Sequence, residues 1–215
     1  PKDLGKPSGI LDLEHKIVKE SDIILPVSKP IYDIIINKRG TKKGLHLLRN
    51  GVDISLFRRK TSMPKEYLKI PEPRAVYVGS TGGDLFDFNL VLYSAKKLPE
   101  VSFVIIGPRP PISSSDNKIP TNIYFLGAKP HPQLPCYLQY ADVGLIPFKN
   151  GDRLKTVEYP LKFYQYIACG LPVISVGYGA LKAMSPYALL ANSYEEFVGM
   201  IKMGLEVDNN YRSEL

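Results

Sequence analysis

Lys162 stands in the first turn of an amphipathic helix read over Leu161–Ala168. The helix dipole alone favours an acid at that place, so a cation there points to something negative in the preceding loop. That loop is polar and ends in Lys155-Thr156-Val157-Glu158-Tyr159-Pro160, and the helix closes at Ala168-Cys169-Gly170. Leu171-Pro172 then leads into an apolar strand, Val173–Val176. Loop, helix start, tight glycine stop and strand are the parts of an anion site, because orphan N–H groups and the positive helix end face the loop. The same pattern also suits a surface lysine on a helix with one buried face. Gln165, at i+3, projects from the same side as Lys162. A second stretch, Gly79-Ser80-Thr81-Gly82-Gly83-Asp84, has side chains small enough for backbone N–H groups to approach a phosphate. It has neither the Lys-Ser/Thr ending of a P-loop nor the dinucleotide glycine pattern, and a plain structural turn is the alternative. No paired aspartates and no His/Cys cluster has ligand spacing, so no metal is expected.

The elements that must position these residues alternate along the chain. A helix over residues 11–20, a buried strand over 23–27, and a helix from an N-cap at Ser28 to Gly40 come first. A short strand over 45–48 and a turn at Asn50-Gly51 follow. Residues 58–73, with Pro64, Pro71 and Pro73 among many charges, read as an interdomain linker. A more regular series begins at residue 75, with strands expected over 75–78, 102–106, 122–125, 142–146, 173–176 and 188–190. Helices are expected over 88–98, 134–141 and 161–168, and Ser193-Tyr194-Glu195-Glu196 is a capping box for a last helix through Met203. Strands this apolar, separated by helices, imply an α/β fold, a Rossmann-like parallel sheet with helices on both faces. Residues 1–57 read as the tail of a preceding α/β domain, 74–205 as a nearly whole second one and 206–215 as a tail. Ligands of such sheets bind beyond the carboxyl ends of the strands.

The run Pro160-Leu161-Lys162-Phe163-Tyr164-Gln165-Tyr166, followed by Ala168-Cys169-Gly170-Leu171-Pro172-Val173, resembles the donor-binding segment of GT-B glycosyltransferases. The family-four and xanthan-glucuronosyltransferase-like bacterial enzymes show a similar run. Further segments fit in the same order: 22–27 with Asn50-Gly51-Val52-Asp53, 76–79 with Asp87-Phe88, and 122–127 with 141–147. The resemblance spans roughly residues 20–205. It implies a glycosyltransferase whose C-terminal domain binds a nucleoside-diphosphate sugar, a UDP-sugar by expectation, and whose acceptor is a glycan or glycolipid of surface polysaccharide biosynthesis.

By that resemblance Lys162 neutralises the donor diphosphate, and Thr156, Tyr159 and Leu161 line the same pocket through hydroxyls or N–H groups. Glu158 is counted with them, although its side chain points elsewhere unless the loop shifts register. Gln165 occupies the position of the second glutamate of a Glu-x7-Glu pair and offers one acceptor and two donors to the ribose diol. The first position of that pair is Val157, so the paired carboxylates are missing. Gly79, Ser80, Gly82, Gly83 and Asp84 lie near the diphosphate or the sugar, without the basic residue many relatives carry there. Arg109 approaches the nucleotide or faces solvent. Lys129, in Gly127-Ala128-Lys129-Pro130-His131, belongs to a loop that packs beside the nucleobase, with His131 read as a surface residue. Asp84 and Asp87 are candidates for sugar-hydroxyl contacts, with N-capping by Asp84 as the alternative. No catalytic base is named, since relatives draw it from the N-terminal domain. A sugar-nucleotide epimerase of the same architecture and a non-catalytic nucleotide-binding module are the alternative functions.

Composition agrees with a soluble globule: 215 residues, 44% hydrophobic and 23% charged. No apolar run approaches the roughly 20 residues needed to span a bilayer. The chain starts at Pro1 and is read as a piece of a longer protein. Cys136 and Cys169 read as buried free thiols, which fits a reducing cytoplasm. The net charge of +7 is concentrated at the front, where residues 1–60 hold 13 Lys/Arg against 7 Asp/Glu. Clusters at Lys38-Arg39, Lys42-Lys43 and Arg58-Arg59-Lys60 suit either solvated loops or a peripheral contact with anionic lipid at the inner membrane face. Nucleic acid is not an expected partner, since no aromatic platform or groove-directed helix accompanies the charge.

Overall fold

Six short apolar segments pair in parallel to form the sheet: β1 (Arg74–Val78), β2 (Ser102–Ile106), β3 (Ile123–Gly127), β4 (Val143–Ile146), β5 (Val173–Val176) and β6 (Ala188–Ala191). Their order across the sheet is β3-β2-β1-β4-β5-β6. The computed structural model describes residues 8–110, 119–178, 181–182 and 187–207. Every residue of β1, β2 and β4 is buried, as expected for a parallel sheet covered on both faces. Alternate side chains supply the two covers. Ala75, Tyr77, Phe103, Ile105 and Leu145 pack with Leu90, Phe197 and Ile201, from α4 (Phe88–Lys97) and α7 (Tyr194–Leu205). Val76, Val78, Val104, Ile106 and Ile146 pack with Leu138, Phe163 and Tyr166, from α5 (Leu134–Leu138) and α6 (Leu161–Ala168).

Residues before the sheet form α1 (Ser8–Glu20), α2 (Lys29–Arg39) and α3 (Ile54–Arg58). α2 has the expected caps: the Ser28 hydroxyl accepts from the Ile31 N–H, and Gly40, at φ 75°, donates its N–H to the Ile36 carbonyl. The buried strand expected over residues 23–27 does not form. A single parallel bridge joins Ile24 to Leu45, and Ile23, Leu25 and Val27 are 65%, 50% and 43% exposed. The segment pairs along one edge only, so alternation turns its odd-numbered side chains outward. Leu48, at the end of the other expected short strand, is also exposed.

The proline-rich stretch before β1 is packed on the sheet domain. It contains a 3-10 turn over Lys65–Lys69, and Tyr67 and Ile70 are buried. The buried Arg74 guanidinium donates to the carbonyls of Ile70, Tyr67 and Tyr140. The helix expected over 134–141 is shorter, Leu134–Leu138, and follows a 3-10 turn at His131–Gln133. Asp87, not Asp84, caps α4: its Oδ1 accepts from the Leu90 N–H at 3.1 Å, and its Oδ2 from the Tyr194 hydroxyl at 2.8 Å. Ser193 caps α7 through the Glu196 N–H, while the Glu196 carboxylate reaches back to the N–H of Asn192 rather than of Ser193. Cys136 and Cys169 are free thiols but half-buried rather than fully buried, and burial pushes the Cys169 thiol up to about 12.

Candidate functional site

The strand order reverses between β1 and β4, and in open parallel sheets that is where a crevice opens at the carboxyl ends. β1 and β4 pair at Ala75–Val143 and Val76–Gly144 and then part. Tyr166 of α6 enters the gap. Its hydroxyl accepts from the Val78 N–H at 2.9 Å and donates to the Leu145 carbonyl at 3.3 Å, so a side chain replaces the ladder bonds the strands forgo. Gly144 makes room for it: a Cβ there would lie 2.3 Å from the Tyr166 ring.

Two glycines shape the floor of the crevice. Gly79 and Gly107 adopt φ of 147° and 157°, a region L side chains rarely enter. A Cβ on Gly107 would lie 2.0 Å from the Gly79 carbonyl oxygen, so these turns interlock backbone to backbone. The Gly79 N–H donates to the Ile106 carbonyl at 2.9 Å and the Gly107 N–H to the Gly127 carbonyl at 3.0 Å. The Tyr77 hydroxyl donates to the Ser80 carbonyl at 2.7 Å, and the buried Thr81 hydroxyl donates to the Pro108 carbonyl. Gly82, Gly83 and Asp84 form the exposed tip of this loop.

Lys162 overhangs that floor. Pro160 precedes α6 with no side-chain cap, Leu161 is 51% exposed, and the Phe163 N–H donates to the Pro160 carbonyl at 2.9 Å, while those of Leu161 and Lys162 have no intrahelical acceptor. The Lys162 Nζ lies 4.7 Å from the centroid of the Phe148 ring and 5.2 Å from that of Tyr77. A Cβ on Gly79 would meet it at 3.4 Å. Burial pushes this ammonium down to about 8. Among the described residues the structure gives Lys162 no ion pair and no hydrogen bond; two aromatic faces are its only charge-directed neighbours. A half-buried cation without a counter-charge, above small-residue backbone and at a helix start, is chemically an anion receptor.

The loop after β4 carries three more expected residues, and each contacts the N-terminal segment. The Thr156 carbonyl accepts from the Ser28 hydroxyl at 2.9 Å, the Glu158 carboxylate from the Lys29 N–H at 2.9 Å, and the Tyr159 carbonyl from the Asn50 amide at 3.1 Å. Glu158 also lies 4.0 Å from the Arg49 guanidinium. A cleft of about 620 Å³ opens beside this loop, lined among others by Pro30, Asn150, Val157, Tyr159 and Tyr178. Among the described residues the buried Tyr178 hydroxyl has no hydrogen-bond partner, and its ring packs 6.2 Å from Phe148, the residue under Lys162.

The structure brings Gly79 and Lys162 together and disperses other expected residues. Arg109 is exposed, with its guanidinium 5.1 Å from the Phe125 ring centroid. Lys129 pairs with Glu66 at 2.8 Å, and Glu66, held down to about 2 chiefly by that hydrogen bond, also accepts from the Tyr137 hydroxyl. Gln165 is buried and its Nε2 lies 3.3 Å from Nε2 of His131. Sequence reasoning gave Tyr166 no role, though an aromatic facing a glycine in the adjacent strand is the available signal. Among the described residues no group of three His, Cys, Asp or Glu side chains could hold a metal, and no helix is long and apolar enough to cross a membrane.

Comparison with known proteins meets this geometry. The model of the family described as glycosyl transferases group 1 matches residues 72–202. A Bacillus subtilis protein, TuaH, named as a candidate glycosyltransferase of teichuronic acid biosynthesis, is 24% identical over 185 residues, which are 83% of this chain and 46% of TuaH. Sucrose-phosphate synthase from Thermosynechococcus elongatus superposes with a TM-score of 0.65 at 19% identity, over 99% of this chain and 58% of that one. Anabaena HepE, solved in complex with UDP-glucose, gives 0.70 at 14% identity, over 94% and 59%. The chain thus spans about half the length of these proteins.

Proposed function

The chain belongs to the group 1 glycosyl transferase family, and from that premise we propose that it holds a UDP-sugar in the β1/β4 crevice and serves its transfer to a glycan or lipid-linked acceptor of a surface polysaccharide. The observation that carries the reading is Lys162, a half-buried cation with no counter-charge among the described residues, set at the start of α6 above Gly79. In this reading the diphosphate supplies the missing charge. Its oxygens meet the Lys162 ammonium, the first-turn N–H groups of α6 and the backbone of the Gly79–Asp84 loop. Transfer breaks the bond between the anomeric carbon and the diphosphate and leaves negative charge on UDP. Donors fixed where that charge grows lower the barrier to leaving-group departure. Charge neutralisation is assigned to Lys162 and the helix end, with no metal. Gln165 is assigned to the ribose hydroxyls.

The UDP-sugar is favoured because HepE was solved with UDP-glucose, and the polysaccharide acceptor because TuaH is named for teichuronic acid biosynthesis. A cytoplasmic setting, with the basic residues Lys38, Arg39, Lys42 and Lys43 facing anionic lipid at the inner membrane face, completes the proposal. Titration calorimetry tests it. Lys162→Ala is expected to weaken UDP by about 1.5–3 kcal/mol, the range for a hydrogen bond to a charged group, and to leave the fold intact. Unchanged affinity overturns the assignment.

A further inference from the structure

Gln165 and His131 come from separate elements, α6 and the turn after β3, and meet 3.3 Å apart through Nε2 of each. An amide nitrogen donates, so in this contact the imidazole Nε2 stands as the acceptor. The ring is also braced from the other side. It stands edge-on to the fully buried Phe57, with centroids 5.4 Å apart and planes at 66°. Asp53, at the N-cap of the same helix as Phe57, is the carboxylate facing it; hydrogen bonds from Ser55 and Leu56 hold that group low, with a smaller effect from the His131 charge. Lys129, two residues before His131, is engaged by Glu66. Gln165 is the uncharged neighbour from α6, and its Oε1 has no protein partner among those the structure gives.

We propose that His131 is a positioning residue: by accepting from the Gln165 amide nitrogen it directs the amide oxygen toward the nucleotide, where it accepts from a ribose hydroxyl. The proposal deepens the nucleotide-sugar reading above and rests on it. It has a consequence that packing alone lacks. A side chain at position 131 that offers an acceptor holds the amide nitrogen and leaves Oε1 for the ribose, and one that offers none leaves the amide free to turn over.

The test is calorimetric titration of the full chain with UDP-glucose, and with UDP beside its 2′,3′-dideoxy form. His131→Gln keeps an acceptor and should bind and discriminate like the wild type. His131→Ala is expected to lose about three- to tenfold in affinity, the worth of one hydrogen bond, and with it part of the preference for the ribonucleotide over the dideoxy form. An alanine variant that binds and discriminates like the wild type, or a glutamine variant that loses as much as the alanine one, overturns the positioning role alone. Absence of UDP-glucose binding by the wild type overturns the nucleotide-sugar reading and this inference with it.

Discussion

The two loops on either side of Lys162 are held by opposite means. The Gly79–Asp84 loop is fixed from inside the sheet, by the interlocked turns at Gly79 and Gly107 and by the Tyr77 and Thr81 hydroxyls on local carbonyls. The loop after β4 is fixed from outside, by Ser28, Lys29 and Asn50 of the N-terminal segment. One wall is therefore a property of the sheet, complete once the strands pair. The other depends on how α2 is seated, so a change more than 100 residues away in sequence can move it. A crevice with one rigid and one conditional wall can keep affinity for the diphosphate while adjusting what lies beyond it.

The largest test of this contrast is Gly107→Ala. Its Cβ would meet the Gly79 carbonyl oxygen at 2.0 Å, in backbone that L residues rarely adopt. A destabilisation of at least about 3 kcal/mol is expected in thermal or denaturant unfolding, with loss of UDP binding. A folded, binding-competent variant would show that the inner wall is not rigid.

Lys162 sharpens the contrast through proton linkage. Its ammonium is held near 8 against an ordinary 10.5 by burial, so between those pH values the unfolded chain keeps a proton that the folded chain has released. Stability contributed by this residue therefore rises with pH across that window. The wild type should gain stability relative to Lys162→Met from about pH 8 upward. UDP binding near pH 9 should take up a proton in the wild type and none in the variant, read from calorimetry in buffers of different ionisation enthalpy.

The conditional wall calls for gentler changes. Ser28→Ala removes the α2 N-cap and the bond to the Thr156 carbonyl together, and about 1–2 kcal/mol of stability should go with them. Glu158→Ala, at a solvent-facing helix start, should cost about 0.5–1 kcal/mol. Both should weaken UDP-sugar more than UDP if the outer loop serves what lies beyond the diphosphate. Equal loss for the two ligands would make the loop part of the phosphate site.

The sheet domain was legible because its apolar runs have strand length and are punctuated by glycine and proline, and because Lys162 breaks a dipole rule. Other features depended on contacts that no local pattern encodes. Asp84 and Asp87 are equally suited to cap a helix. The Phe86–Phe148 bridge, with Asp87 N–H on the Pro147 carbonyl, holds residues 85–87 against the β4 loop and delays the helix to Phe88. Residues 23–27 have a buried strand's composition, but burial requires partners on both faces. His131 is exposed, as its sequence suggests, yet it touches a buried amide 34 positions away. Lys129 is drawn to Glu66 across 63 positions.

The Tyr166 hydroxyl gives the crevice a built-in reporter. The Val78 amide hydrogen sits at the end of β1, and its acceptor is a side-chain oxygen rather than a neighbouring strand. Its exchange with solvent deuterium therefore times the departure of one phenol, whereas its neighbours along β1 time the separation of whole strands. Any ligand that seats in the gap should slow exchange at this one position more than at Val76, two residues earlier on the same strand.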